Sequence, residues 1–126
     1  MGVTGMGGVF FRASDPDALN AWYRDYLHVG AGCNADATGP VDQWSWTAQG
    51  GPTVFAPFKA DTDYFPADKQ YMLNFRVTDL DSLLAALRVG GIAVETKAEW
   101  DSPEVGKFAR IHDPEGNPIE LWEPPV

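Results

Sequence analysis

The side chain best suited to carry out chemistry is Glu120, in the segment IELW at 119–122. Alternation along a strand places Glu120 and Trp122 on one face, so the carboxylate lies beside an aromatic ring. A carboxylate buried alone is strongly unfavourable, so it must be paired, protonated or solvated. Arg12 or Arg76 is the expected partner. If paired, Glu120 is structural or anchors a ligand; if unpaired, it is a candidate general base.

The other candidate metal ligands and nucleophiles are His28, His112 and the single Cys33. His28 follows the first predicted helix and His112 ends a predicted strand, so neither shares a face with Glu120. We interpret both as locally hydrogen-bonded, although a displaced metal site remains open. Cys33 has no disulfide partner in the chain and is interpreted as a small buried hydrophobe in a reducing compartment.

An internal repeat decides how these groups are positioned. The pattern FRxxDxDxL occurs at 11–19 and again at 75–83, sixty-four residues later, and the same register pairs Ala21 with Ala85 and Arg24 with Arg88. Seven identities in fourteen positions indicate a duplication of about half the chain. The chain is long enough for only one compact domain, so the two copies must be halves of one fold.

Each half predicts one strand, one helix and three further strands. Residues 8–13 alternate as a strand, and the N-cap and proline at 14–16 predict a helix from about 15 or 16 to 27. In the second half a strand at 71–77 precedes a helix that ends near Val89. The remaining strands are predicted at 29–35, 41–48 and 52–58, and at 92–98, 106–112 and 118–123. Residues 113–117 predict a tight turn, and 59–69 an exposed connector.

The twofold unit and the segment DPEGNPIELWEP at 113–124 resemble the vicinal oxygen chelate (VOC) superfamily, which includes glyoxalases, bleomycin resistance proteins and extradiol dioxygenases. The resemblance implies an α+β fold in which tandem βαβββ modules form a curved, barrel-like mixed sheet around a cleft, with the helices outside. The modules would be 1–58 and 70–126, joined by the connector 59–69.

In metal-using members of this superfamily, four side chains bind a divalent ion. Carried over by position and by the repeat offset, these places hold Gly8, Ala56, Met72 and Glu120. Glycine, alanine and a thioether do not supply the oxygen or imidazole ligands that such ions need. We therefore predict no metal ligands and no cofactor, and the glyoxalase activity does not transfer.

The implied cleft would hold a small molecule among aromatic and charged side chains. The tryptophans among them are equally well interpreted as core. The predicted ligand-binding residues are Phe10, Arg12, Trp44, Trp46, Phe58, Met72, Asn74, Arg76 and Trp122.

Composition limits the partners. Eighteen acidic and nine basic residues give a net charge of −9, which disfavours nucleic acid and indicates either solubility or attraction for a cationic ligand. No apolar run has the length of a membrane span, and the start of the sequence lacks signal-peptide features, so we expect a cytoplasmic protein with no membrane partner.

Three functions remain open. The first is a metal-independent, bleomycin-resistance-like protein that binds a small amphipathic or cationic molecule. The second is a VOC-type lyase, isomerase or dioxygenase that uses Glu120 with a non-standard divalent metal site. The third is a domain that associates with a partner through the connector around Tyr64-Phe65-Pro66. A homodimer is expected from the resemblance and from open sheet edges.

Overall fold

The computed structural model describes residues 1–34 and 39–126. It contains a three-stranded mixed sheet and two α-helices, with short 3₁₀ turns at 41–43 and 98–100. The elements are α1 Pro16–Leu27, β1 Leu73–Arg76, α2 Leu80–Val89, β2 Lys107–His112 and β3 Pro118–Glu123.

The central strand of the sheet is β3. It pairs in parallel with β1 and antiparallel with β2, so Asn74 and Arg110 lie on either side of Glu120. The antiparallel pair is closed by a turn in which the Asp113 N–H donates to the Asn117 carbonyl at 3.0 Å. Because side chains alternate in direction, this register assigns every strand residue to one of two faces.

One face of the sheet carries the hydrophobic core. Both helices contribute to it, because their apolar positions recur at three and four residues and meet the apolar strand face. Its buried members are Leu19, Tyr23, Leu80, Leu84, Leu87, Ala109, Ile111, Ile119 and Leu121. Full burial of one large apolar side chain contributes about 1.5–3 kcal/mol, so this cluster supplies most of the folding free energy.

Both helices begin at an aspartate of the repeated motif. The Asp15 carboxylate accepts from the Ala18 N–H at 3.1 Å, and the Asp79 carboxylate accepts from the Ser82 N–H at 3.3 Å. Each first turn therefore satisfies a backbone donor that has no partner within the helix. Within the described residues, neither helix is long and apolar enough to cross a membrane.

The turn at 113–117 is tied to α1 by one buried and two exposed hydrogen bonds. Asp113 is only 5% exposed, and it accepts from the Tyr23 hydroxyl at 2.7 Å and from the Asn117 side-chain amide at 2.8 Å. Glu115 accepts from the backbone N–H groups of Ser14 at 2.6 Å and Asp15 at 3.0 Å. The segment that carries the β2–β3 turn thus also positions the start of α1.

Predictions for both helices and for three strands of the second half agree with the structure. The strands expected at 106–112 and 118–123 are β2 and β3, and the one expected at 71–77 is the shorter β1. The helix expected from 15 or 16 to 27 is α1, and α2 ends at Val89 as predicted. In the turn, Gly116 takes a positive φ of 81°, which its lack of a side chain allows.

The remaining strand predictions, four in the first half and one in the second, are corrected. The strands expected at 8–13, 41–48 and 52–58 do not form in this structure, and 41–43 is a 3₁₀ turn instead. The strand expected at 29–35 is also absent over 29–34, and its last position lies outside the described residues. At 92–98 only an isolated bridge from Glu95 to Arg110 remains. Alternation fits a strand only where a neighbouring strand pairs with it, and pairing is not encoded locally. The doubled, barrel-like sheet therefore stays a prediction.

The Tyr23 hydroxyl gives a direct test of how the turn is attached to α1. Tyr23→Phe should lower the free energy of unfolding by about 1–3 kcal/mol, because a buried carboxylate loses a donor that water cannot replace. Urea denaturation monitored by circular dichroism measures the change. Tyr26→Phe, at an exposed position on the same helix, is the matched control and should change stability by less than about 0.5 kcal/mol. Equal effects of the two substitutions would contradict a stabilising role for the buried bond.

Candidate functional site

The face of the sheet opposite the core carries polar and aromatic side chains. Alternation along the three strands brings them together, and strand pairing puts one arginine and one asparagine beside the glutamate. The strand residues on this face are Asn74, Arg76, Phe108, Arg110, His112, Pro118, Glu120 and Trp122. We call it the polar face.

Glu120 is the centre of a hydrogen-bond network on the polar face. One carboxylate oxygen accepts from the Tyr64 hydroxyl, and the other accepts from the Asn74 side-chain amide at 2.7 Å. Tyr64 belongs to the connector, so this network attaches the connector to the sheet. The predicted arginine partner is wrong: Arg76 donates to the backbone carbonyls of Gln49 and Pro52, both at 2.6 Å.

Tyr64 is held as a hydrogen-bond donor. Burial, and after it the hydrogen bond to Glu120, together raise the pKa of Tyr64 to about 12. Both causes disfavour the tyrosinate, because a negative phenolate would lie in a desolvated position beside a carboxylate. The hydroxyl therefore keeps its proton at neutral pH, and the network is intact there.

Arg110 is buried behind the connector. It is 7% exposed, and its Nη2 donates to the Tyr64 backbone carbonyl at 2.9 Å. The guanidinium carbon lies 4.9 Å from the centre of the Tyr64 ring and 5.9 Å from that of Trp100, which are cation–π distances. Within the described chain, the Arg110 Nε is fully buried and has no hydrogen-bond partner.

Aromatic rings surround this network. The Phe58 ring lies 5.6 Å from Tyr64 and 5.7 Å from Phe65. On the same face of the sheet, the Trp122 ring stacks on the Phe108 ring with ring centres 6.2 Å apart. The Trp122 indole N–H donates to the backbone carbonyl of Val105 at 2.7 Å. The indole N–H of Trp122 is therefore satisfied, and its ring edges remain half-exposed.

An open cavity of about 560 Å³ adjoins the network. The connector forms most of its wall and Arg110 supplies its sheet side. The lining consists of residues 61–63, residues 65–67 and Arg110. It is a shallow depression that is largely open to solvent, and its lining combines apolar surface with a few polar groups.

The structure gathers only some of the predicted ligand-binding residues. Asn74 contacts Glu120 directly, Phe58 contacts the network through Tyr64, and Trp122 shares the polar face. Phe10 is 97% exposed and Trp44 70% exposed, both away from the network. The others are dispersed: Arg12 is exposed, Met72 is half-buried, and the Trp46 ring packs edge-on against Phe75, at 6.2 Å.

Three residues of the site were not among the predicted site residues. They are Tyr64, Trp100 and Arg110. Arg110 had a usable signal, because alternation in KFARIH puts it on the face of Phe108, opposite the buried Ala109 and Ile111. Tyr64 and Trp100 lie outside regular strands, where no periodicity predicts direction. Their rings reach the site through tertiary packing.

Comparison with known proteins now decides the family. A family model described as a glyoxalase-like domain matches residues 8–122. The chain belongs to the glyoxalase-like domain family. This membership confirms the resemblance to the VOC superfamily that the repeat and the DPEGNPIELWEP segment indicated.

Two solved structures are similar to this glyoxalase-like chain. TnmS3, an antibiotic binding protein from Streptomyces sp. CB03234, is 26% identical over 95% of this chain and 99% of its own, with a TM-score of 0.50. A glyoxalase/bleomycin resistance protein from the same organism is 32% identical over 49% of this chain and 54% of its own, with a TM-score of 0.33. No curated protein matches this chain significantly.

The metal positions of the superfamily do not fit an ion in this glyoxalase-like domain. Three of the four carried-over places hold Gly8, Ala56 and Met72, and both oxygens of Glu120 already accept hydrogen bonds. Across 1–34 and 39–126, no group of three or more acidic, histidine or cysteine side chains is placed to hold a metal. The donor set is therefore unsuited to a divalent ion.

Alkaline titration tests the Tyr64–Glu120 bond. The folded pKa of Tyr64 is raised above the ordinary value of 10.0 to about 12, so the folded state keeps a proton that the unfolded state releases between these values. Its stabilisation is complete below pH 10 and is lost as the pH rises to about 12. We expect Tyr64→Phe to show a shallower loss of unfolding free energy than wild type across this window, measured by urea denaturation at stepped pH.

Tyr26→Phe again serves as the control, because Tyr26 is exposed and takes no part in the Glu120 network. A wild-type slope in the Tyr64→Phe protein would contradict the raised pKa.

Proposed function

We propose that this glyoxalase-like protein binds a small amphipathic molecule on its polar face without a metal ion, in the manner of a bleomycin-resistance-like binding protein. The observation that carries the proposal is the hydrogen-bonded set of Tyr64, Asn74, Arg110 and Glu120 beside an open, partly apolar cavity. Pre-positioned polar groups next to apolar wall are what a ligand site requires.

The similar full-length structure supports binding. TnmS3 is an antibiotic binding protein, and the similarity extends over nearly the whole of both chains. A shared fold alone would not indicate a shared function, because function is carried by the site. In this chain the local chemistry points the same way, since the metal positions lack donors while the polar groups and rings remain.

The enzymatic alternative gains no support from Glu120. Each carboxylate oxygen of Glu120 accepts one hydrogen bond, from the Tyr64 hydroxyl and from the Asn74 amide, and these bonds attach the connector and β1 to this side chain. The arrangement suits a carboxylate that fixes the connector and orients neighbouring donors. We therefore assign Glu120 an anchoring role in our proposal.

Titration with bleomycin and a panel of other natural-product antibiotics tests the proposal. We expect at least one to bind with a stoichiometry of one per chain, measured by calorimetry and by tryptophan fluorescence. Asn74→Ala, which removes a polar-face amide, should weaken binding about tenfold, equivalent to about 1.4 kcal/mol. Trp44→Phe should bind as wild type, because Trp44 is exposed and away from the network. Failure of the whole panel to bind, or greater loss with Trp44→Phe, would contradict the proposed site.

We also propose that the chain forms a homodimer in the cytoplasm, in which the 1–58 module completes the sheet. Support comes from the side of β1 away from β3, where the described chain supplies no strand neighbour. Support also comes from Val54 and Phe55, which are large apolar residues left exposed. Unpaired edges and apolar patches of this kind are commonly covered by a second copy.

Sedimentation equilibrium tests the dimer. Wild type should have twice the mass of one chain, and Phe55→Asp should raise the dissociation constant at least about tenfold, because a charge would enter an apolar contact. Val89→Asp, at an exposed position that ends α2, is the control and should leave it unchanged. A monomeric wild type at high micromolar concentration would refute the dimer.

A further inference from the structure

We propose that Arg110 is the receptor for a single acidic oxygen group, a carboxylate or a phenolate, carried by a flat aromatic ligand in the cavity beside the connector. The inference rests on the proposed binding function and specifies the ligand class for that site. It concerns a residue that the sequence patterns did not single out.

The first argument is the state of the guanidinium. Arginine carries five N–H donors and is always charged, and Arg110 is 7% exposed. Within the described residues its Nη2 donates to the Tyr64 carbonyl, and its Nε is fully buried without a partner. Buried charges are normally paired with an opposite charge. Arg110 also lines the open cavity, so the guanidinium donors on the cavity side are where an incoming acceptor would bind.

The second argument is that no carboxylate of the described chain takes this role. Glu120 is the strand neighbour of Arg110, yet no ion pair joins them, and its oxygens accept from Tyr64 and Asn74 instead. Asp61 and Asp63 line the same cavity, but both are exposed to water. Exposed carboxylates interact weakly and are screened by salt. Asp61 and Asp63 therefore disfavour a ligand with several negative charges but tolerate a ligand with a single acidic group.

The third argument is orientation. The guanidinium lies over the rings of Tyr64 and Trp100 at 4.9 and 5.9 Å, which fixes its plane. A fixed guanidinium presents a planar fork that matches the two oxygens of a carboxylate. Phe65 adds an aromatic surface to the cavity wall. An aromatic ring attached to the acidic oxygen would pack best against that surface.

The net charge of −9 does not decide against an anion. At physiological salt the Debye length is about 8 Å, so charges distributed over the surface act weakly inside a site. The direct contact with a desolvated arginine is stronger, because it acts at hydrogen-bond distance and in a low local dielectric.

A charge series of one ring system tests the inference. The probes are 2-naphthoate, 2-naphthylmethanol and 2-naphthylmethylammonium, titrated into the full chain and followed in ¹H–¹⁵N correlation spectra at the Arg110 Nε–H and the Trp100 indole N–H. We expect 2-naphthoate to bind at least tenfold more tightly than the alcohol, and to shift the Arg110 Nε–H signal downfield. The ammonium should bind most weakly.

Substitutions identify the contact. Arg110→Met keeps the apolar stem of the side chain. It should weaken the binding of 2-naphthoate at least tenfold and change the binding of 2-naphthylmethanol less than twofold. Arg110→Lys should lose most of the preference for the acid over the alcohol, because lysine lacks the planar fork of donors. Arg24→Met, on the exposed face of α1, is the matched control. If Arg110→Met does not fold, the ligand series on wild type still decides.

Equal binding of acid and alcohol, or tightest binding of the ammonium, would overturn the inference while leaving the proposed binding function in place. If no probe binds in any charge form and the antibiotic panel also fails, both are overturned.

Discussion

The buried carboxylate of Asp113 is the constraint on which the rest of this structure depends. It accepts hydrogen bonds from the Tyr23 hydroxyl and from the Asn117 side chain and backbone, so it fixes the β2–β3 turn and attaches it to α1. The turn sets the register of the two strands. A slip of one residue would exchange the two faces of β3, placing Glu120 in the core and Ile119 on the polar face. The geometry of the site therefore depends on a turn that lies several residues away.

The two copies of the repeated motif have diverged unequally. Both keep an aspartate N-cap, Asp15 and Asp79, and both lead into a helix that covers the core. The arginines at equivalent places differ, because Arg76 donates to two backbone carbonyls of the first half, whereas Arg12 is exposed. The second copy of the motif lies on a strand of the sheet that carries the network, and the first half contributes carbonyl groups and exposed apolar surface.

The sequence predicted those parts of the fold whose signals are local. Helix α1 followed from a cap, a proline and apolar residues at helical spacing, and the 113–117 turn from its aspartate, asparagine and glycine. The first-half strands were overpredicted, because alternation reports a half-buried strand only if a partner strand is present. At the site, alternation correctly put Glu120 with Trp122, but the partner of Glu120 was misassigned. Tyr64 reaches it from fifty-six positions away in the chain, and no local pattern encodes such a contact.

The location of the cavity-lining residues in the chain has an evolutionary consequence. Every residue that lines the cavity, apart from Arg110, belongs to the connector, and none of those residues is a member of the buried hydrophobic cluster. Substitutions there alter the shape and polarity of the cavity without opening voids beneath the sheet. The cavity wall can therefore vary at little cost in stability, and in our proposal Arg110 is the fixed point to which a ligand attaches.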